Sequence, residues 1–299
     1  MKDAIEVQLI DTNIYKSKEL WQPYRARGAF GGQSLHAYFL LAGNVDRPII
    51  YTVERMRDGK SYATRMVKAS QRGKTIFVCN CSFSTLEEGI TLSHQVTMPT
   101  VANPESLPSD LDIFQKILRS TKSESKQFLL RAEKNINDNS LIDYRAVNQY
   151  SNEEIITGNV KTDAHGRRWF KTRGALNDDM KLHACIIAYA SDSGLINVAA
   201  TANGLSYNSE SMGMMASLDH TMWFHAPARA DDWLLYDIHS PRTNHGRGVA
   251  FGKIYSSDGT LVVTTAQEGI VRLTEAEQKK RRKQLEFENG FLGNCRCQL

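Results

Sequence analysis

Two side chains in this sequence stand where polar chemistry can be built on an apolar frame. Leu182, Cys185, Ile186 and Tyr189 recur at i, i+3, i+4 and i+7, the stripe of a helix with one buried face. Three residues past Tyr189 the stripe reaches Asp192, so the pattern aims a carboxylate along the core side of the chain's best helix. Buried and unpaired, such a group is costly; it needs donors, a cation or a pocket holding water. The alternative is an Asp at a helix end capping the next segment. Gln267 closes a second pattern, in which Leu261, Val263, Thr265 and Gln267 share one face of a strand. That amide is either satisfied within the core or open to a pocket. Asp219 and His220 are a candidate acid–base pair, but neighbours on a strand point opposite ways, and both read as mainly structural. Alternation across Met214–His225 sets Ser217, Asp219, Thr221 and Trp223 on one face, and Leu218, His220, Met222 and Phe224 on the other. A bulge would exchange those faces.

The elements that must hold these groups are legible. Asp178 and Asp179 suit the N-terminus of the helix that ends at Asp192. After it come four strands, Met214–His225, Trp233–His239, Gly248–Tyr255 and Thr260–Arg272, and before it one near Arg167–Thr172. The first part of the chain reads as an antiparallel meander of Ser34–Leu41, Ile49–Arg57, Ser61–Gln71 and Lys74–Ser84. Asp58-Gly59, Arg72-Gly73 and Asp258-Gly259 are hairpin turns. Between the two parts, Pro99, Pro104 and Pro108 and a helical stretch around Leu111–Lys134 read as a long connection carrying a helix, without a core of its own. One long helix with long antiparallel strands is an α+β arrangement, and the hairpins of the two halves echo each other as copies of one module.

Composition narrows the options. A chain of 299 residues, 41% hydrophobic and 23% charged, is ordinary for a globular protein with one large or two modest cores. No run approaches a membrane span in length, and MKDAIEVQLID lacks the apolar core of a targeting leader. The net charge is +4, yet Lys279 to Lys283 supply five positive charges, so the rest of the chain nets −1. That confines any nucleic-acid footprint to one tail run, which reads as a solvated helix face behind the capping box Thr274-Glu275-Ala276-Glu277. The five cysteines, Cys79, Cys81, Cys185, Cys295 and Cys297, are odd in number and form no zinc pair. Cys185 reads as a small core residue and the set fits a reducing compartment. There is no Gly-x-Ser-x-Gly elbow, Walker loop, dinucleotide fingerprint or His-x-x-x-His pair, so neither cofactor nor metal is expected.

A family likeness is carried by Phe30-Gly31-Gly32-Gln33, His36-Ala37-Tyr38-Phe39, Pro48-Ile49-Ile50-Tyr51, Glu54-Arg55 and Arg57-Asp58-Gly59, with Thr64-Arg65 and Ile76-Phe77. In the second half it rests on Tyr189-Ala190-Ser191-Asp192, the run from Ser217 to His225, Trp233-Leu234-Leu235-Tyr236, Arg247-Gly248 and Gln267-Glu268-Gly269. Over residues 20 to 273 this resembles acyl-CoA thioesterase II. Lys181-Leu182-His183 and Ser217-Leu218-Asp219-His220 look most like the peroxisomal branch. The resemblance implies a double hotdog, two helices each wrapped by an antiparallel sheet. It also implies hydrolysis of fatty acyl-CoA thioesters to fatty acid and CoA. By motif position the family's water-activating set falls on Asp192, Ser217 and Gln267. A carboxylate can deprotonate water as it attacks the thioester carbon, while a hydroxyl and an amide fix the water's direction. Backbone N–H groups at a helix N-terminus are candidates for receiving the oxyanion.

The implied layout is residues 1–98 as a first hotdog, 99–160 as a linker with a helix, 161–274 as the second hotdog with the catalytic residues, and 275–299 as a basic tail. Family members usually carry roughly twenty residues after the Phe-Gly-Gly-Gln motif, including the first hotdog's central helix, which rises 1.5 Å per residue. Here Gln33 runs straight into Ser34-Leu35-His36-Ala37-Tyr38, already the next strand. The first hotdog is thus expected to lack its central helix and to expose a wide apolar face unless something covers it. That departure motivates a second functional reading, a non-catalytic acyl-CoA-binding or partner subunit. Fatty acyl-CoA is the expected partner, with a homo-oligomer as an option and no nucleic acid or membrane span. Localisation is peroxisomal by likeness and otherwise cytoplasmic, since the ending Cys295-Arg296-Cys297-Gln298-Leu299 matches a Ser-Lys-Leu signal only at Leu299.

Overall fold

The computed structural model describes the backbone of residues 7–11, 14–17, 31–87, 89–120, 128–129, 132–133 and 141–295, with side chains between 31 and 286 of those stretches. Alternating β-branched and aromatic residues form the four expected first-half strands close to their predicted places, and two unpredicted strands precede them. The first half has β1 (Val7–Asp11), β2 (Ile14–Ser17), β3 (Gly31–Phe39), β4 (Ile50–Asp58), β5 (Tyr62–Gln71) and β6 (Lys74–Ser84). Arg72 and Gly73 take φ of 49° and 72°, the paired left-handed geometry that closes a two-residue hairpin without splaying its strands. His245 and Gly246 do the same between two later strands, a turn that sequence reading passed over.

The connection holds helix α1 (Asp110–Ser120) and leads to β7 (Ile142–Ala146) and α2 (Asn152–Thr157). Beyond Ser120 much of the predicted Leu111–Lys134 helix lies outside the described residues. This stretch does have a small core, contrary to expectation: Phe114, Ile117, Phe128 and Ala132 are buried together against Ile155 and Ile156. Their helical spacing gives the connection an apolar face that Ile155 and Ile156 of α2 help to cover.

The second half adds β8 (His165–Thr172), α3 (Met180–Asp192), α4 (Asn197–Thr201), β9 (Met212–Ser217), β10 (Asp219–Phe224), β11 (Leu234–Asn244), β12 (Arg247–Ser256), β13 (Leu261–Leu273) and α5 (Glu275–Cys295). Every strand joins one antiparallel sheet in the order β1-β2-β4-β5-β6-β3-β10-β13-β12-β11-β8-β7, with β9 also on β13. The two halves fuse where β3 pairs with β10, Tyr38 opposite Asp219 and Ser34 opposite Trp223. The Gln33–Ser34 junction falls inside β3, at a register shift between Gly32 and Ser34.

The main core lies between α3 and the second-half strands, where Ile186, Ile187, Ala190, Met222, Tyr236, Ile254 and Val263 are buried together. Met180–Thr201 is 22 residues long and apolar enough to span a membrane by composition, which corrects the expectation that no run comes near. Its hydrophobicity serves the sheet it packs on, and α3 and α4 divide it. Gly269 lets this packing close up: a Cβ there would stand 2.5 Å from Ile196 Cγ1. On the sheet's other side Trp169, Leu235 and Tyr255 pack with Met98, Val101 and Leu107, and Trp169 Nε1 donates to Ala102 O at 3.0 Å.

Between β3 and α1 no α-helix occurs among the described residues. The first-half face nonetheless holds a second core of Ala37, Tyr51, Val53, Val67, Ala69, Ile76, Cys79 and Cys81, all buried. The face expected to be open unless covered is thus buried at these eight positions, and four of the eight are Ala or Cys, whose apolar area is small. Exposure is found instead at Tyr189 of α3, 74% exposed, and along Tyr38 to Leu41. Cys185 is half-buried, and burial pushes its thiol up to about 12. The basic run Lys279 to Lys283 is exposed on α5, and Thr274 Oγ1 accepts from Glu277 N at 3.3 Å at its start, one half of the expected box.

Candidate active site

Helix α3 starts at Asp179, whose side chain accepts from Lys181 N. Its buried face is His183, Ile186, Ile187, Ala190 and Ser191, one residue further round than the apolar stripe predicts. His183, fully buried, drives that rotation. Its Nδ1 accepts from Ala230 N at 2.9 Å and its Nε2 donates to Asn177 O at 2.9 Å, so a polar side chain anchors the core face. Tyr189 is consequently turned out, and Asp192 ends the helix exposed rather than on the core side.

From that position Asp192 meets the other two predicted residues. Gln267 Nε2 donates to Asp192 Oδ1 at 2.7 Å, and Ser217 Oγ donates to the same oxygen at 3.3 Å. Among the described residues no donor meets Oδ2. Gln267, on β13, is 1% exposed, and its Oε1 is buried without a hydrogen-bond partner. A buried carbonyl oxygen left unpaired costs about 1–3 kcal/mol, so this atom asks for a donor. The three groups come from a helix end and two strands, and the sheet brings all three to one point.

Ser217 reaches Asp192 because β9 and β10 are not one strand. Ser217 pairs with Gly269, but Thr221 pairs with Ala266, so the register moves by one residue around Leu218. An extra residue reverses the alternation beyond it. Ser217 and His220, predicted on opposite faces, therefore meet on the same side. Asp219 keeps the structural part expected of it: its Oδ1 accepts from Glu268 N at 2.7 Å.

The sequence sets His220 down as mainly structural and does not single out Ser191 or Tyr236, yet all three lie beside the trio. His220 Nδ1 lies 3.1 Å from Gln267 Nε2, and its Nε2 lies 2.8 Å from Ser191 Oγ. Burial lowers the His220 pKa, while the negative charges of Asp192 and Asp219 pull it the other way. Tyr236 OH donates to Ser191 O at 2.9 Å and shares a 2.7 Å hydrogen bond with Thr265 Oγ1; burial raises its pKa. The signal was available in outline, since Thr265 sits two residues from Gln267 and Ser191 adjoins Asp192. The α3 N-terminus is ruled out as an oxyanion receiver at Asp192, because 13 residues of helix separate them by roughly 18 Å.

A solved structure of an acyl-CoA thioesterase II, TesB2 from Mycobacterium marinum, matches with a TM-score of 0.71 and 30% identity over 92% of this chain and 99% of that one. The fold thus falls in the class of α+β hotdog thioesterases. Mouse acyl-coenzyme A thioesterase 8 is 34% identical, covering 90% of this chain and 88% of the relative. Acyl-CoA thioesterase 2 of Haemophilus influenzae is 33% identical, with 91% and 96% covered. Family models for the acyl-CoA thioesterase N-terminal domain match residues 25–84, and for the C-terminal domain residues 135–271. The chain belongs to the acyl-CoA thioesterase family and is a thioester hydrolase.

Proposed function

We propose that this chain hydrolyses fatty acyl-CoA with a water activated by Asp192 and aimed by Gln267 and Ser217. The observation that carries this reading is the orphaned Gln267 Oε1 beside a carboxylate whose Oδ1 already holds the amide and the hydroxyl. The water donates one hydrogen to Gln267 Oε1 and the other to Asp192. Its oxygen bonds to the thioester carbon as Asp192 takes the proton. The tetrahedral intermediate then collapses, the carbon–sulfur bond breaks, and the CoA thiolate leaves and takes up the proton that Asp192 holds, which restores the carboxylate. Thiolate is a good leaving group, so no covalent acyl-enzyme and no metal is needed. Ser217, donating to Asp192 Oδ1, holds the carboxylate in the plane that receives the proton.

Removal of the base is the test. Asp192→Asn keeps the shape but cannot take the proton, and it is expected to lower kcat for palmitoyl-CoA by about 10²–10⁴-fold. Gln267→Ala should fall in the same range, and Ser217→Ala less far. Turnover like that of the wild type by folded Asp192→Asn protein overturns the assignment.

The same reading makes the chain a double hotdog whose first unit, within residues 1–98, shows no central helix among its described residues, followed by the linker 99–160, the catalytic unit 161–274 and the tail. The uninterrupted β3 across Gln33–Ser34 supports it. That feature also sustains the second reading, a non-catalytic acyl-CoA-binding or partner subunit. Peroxisomal residence follows from the likeness of Lys181-Leu182-His183 and Ser217-Leu218-Asp219-His220 to the peroxisomal branch, and imaging of the tagged chain against a peroxisomal marker checks it.

A further inference from the structure

Behind the three polar groups lies a buried histidine that the proposed reaction does not touch. His220 is 6% exposed and bonds through both ring nitrogens. Its protons follow by elimination. Asp192 Oδ1 only accepts, and it lies 2.7 Å from one end of the Gln267 amide, so that end is the NH₂. The same NH₂ faces His220 Nδ1, which must therefore be the ring nitrogen with the lone pair. The ring hydrogen is then on Nε2 and goes to Ser191 Oγ, whose own hydrogen goes to Ala188 O at 2.8 Å. Every hydrogen has one acceptor, and the buried acceptor of this cluster left over is Gln267 Oε1.

We infer that His220 is a positioning residue of this thioesterase site: it fixes which end of the Gln267 amide faces the reacting water and ties that amide to Ser191, the residue before Asp192. An apolar side chain in its place would leave a buried N–H of Gln267 unpaired. The amide would then lose one of the two bonds that hold its direction, and Oε1 would no longer be held in place. Ser191 is gripped a second time through its carbonyl by Tyr236 OH, so the helix end that carries Asp192 is fixed from both sides. This inference rests on the assignment of Asp192 and Gln267 made above, and the test separates the two.

The test compares two substitutions by steady-state hydrolysis of palmitoyl-CoA. His220→Asn sets an acceptor near the position of Nδ1, whereas His220→Gln sets a donor near Nε2 and removes the acceptor that faces Gln267. For an outer-shell partner, His220→Gln should lower kcat by about 10–100-fold, with KM little changed and circular dichroism like that of the wild type. His220→Asn should recover most of that loss. Added to Gln267→Ala, His220→Gln should cost nothing further, because it acts through the amide already removed. Wild-type kcat in His220→Gln, equal losses in both variants that track unfolding, or full additivity with Gln267→Ala would each overturn the inference. If those results come with inactive Asp192→Asn and Gln267→Ala proteins, the water site stands and only His220's part in it falls. If those two variants are themselves active, the underlying assignment fails first.

Discussion

At the scale of single residues, one amide orders the site. Gln267 spends both hydrogens, on Asp192 and His220, and keeps its carbonyl unpaired. The ring that receives one of them gives a pH signature. The folded chain holds His220 neutral below its ordinary pKa, whereas the unfolded chain protonates it below about 6.5. The unfolded state then binds more protons, so this contribution is full above that value and is lost as pH falls through it toward the folded pKa. The Tm of the wild type is expected to fall more steeply between about pH 7 and pH 5 than that of His220→Gln. His225 and His239, also lowered by burial, are common to both proteins and cancel in the comparison. Equal slopes in the two proteins contradict the assignment.

At the scale of elements, the site depends on how closely α3, α4 and the turn between them lie on the sheet. Gly269 is the clearest test, because a Cβ there would press on Ile196 and stand 2.9 Å from Ala216 O on the neighbouring strand. Gly269→Ala is expected to destabilise by about 1–3 kcal/mol, read as a lower midpoint in urea with an unchanged slope. An unaltered midpoint would show that the helix turn has slack. The same closeness explains which parts of the fold were legible. Hairpins and alternating strands announce themselves through residue types, so β4, β5, β6, β11, β12 and β13 appear close to where the pattern sets them. The bulge at Leu218 has no such marker; it is set by pairing with β13, which a single strand's sequence does not carry. The face of α3 was misread for a related reason. His183, Ala190 and Ser191 are polar or small yet fully buried, so an apolar stripe points one residue away from the true core. Asp192 and Gln267 stand out in the sequence because each ends a regular pattern, and the structure brings them within 2.7 Å; His220 does not, because neighbours on one strand point opposite ways until a bulge intervenes.

At the scale of the molecule, the three site groups all come from the second half, while the first half supplies the neighbouring strand β3. The proposed water-activating trio is therefore assembled without a first-half helix. This predicts that the chain as it stands releases CoA from palmitoyl-CoA. Inserting a helical segment between Gln33 and Ser34 is expected to raise Tm more than it raises kcat. Activity that appears only after such an insertion favours the non-catalytic reading instead. The central claim concerns the attacking oxygen, and a single turnover with enzyme in excess, run in water enriched in heavy oxygen, tests it most directly. If Asp192 activates water, the first fatty acid released carries one heavy oxygen and the Asp192 carboxylate carries none. An unlabelled first product, with heavy oxygen recovered in Asp192, would mean that the carboxylate itself attacks the thioester.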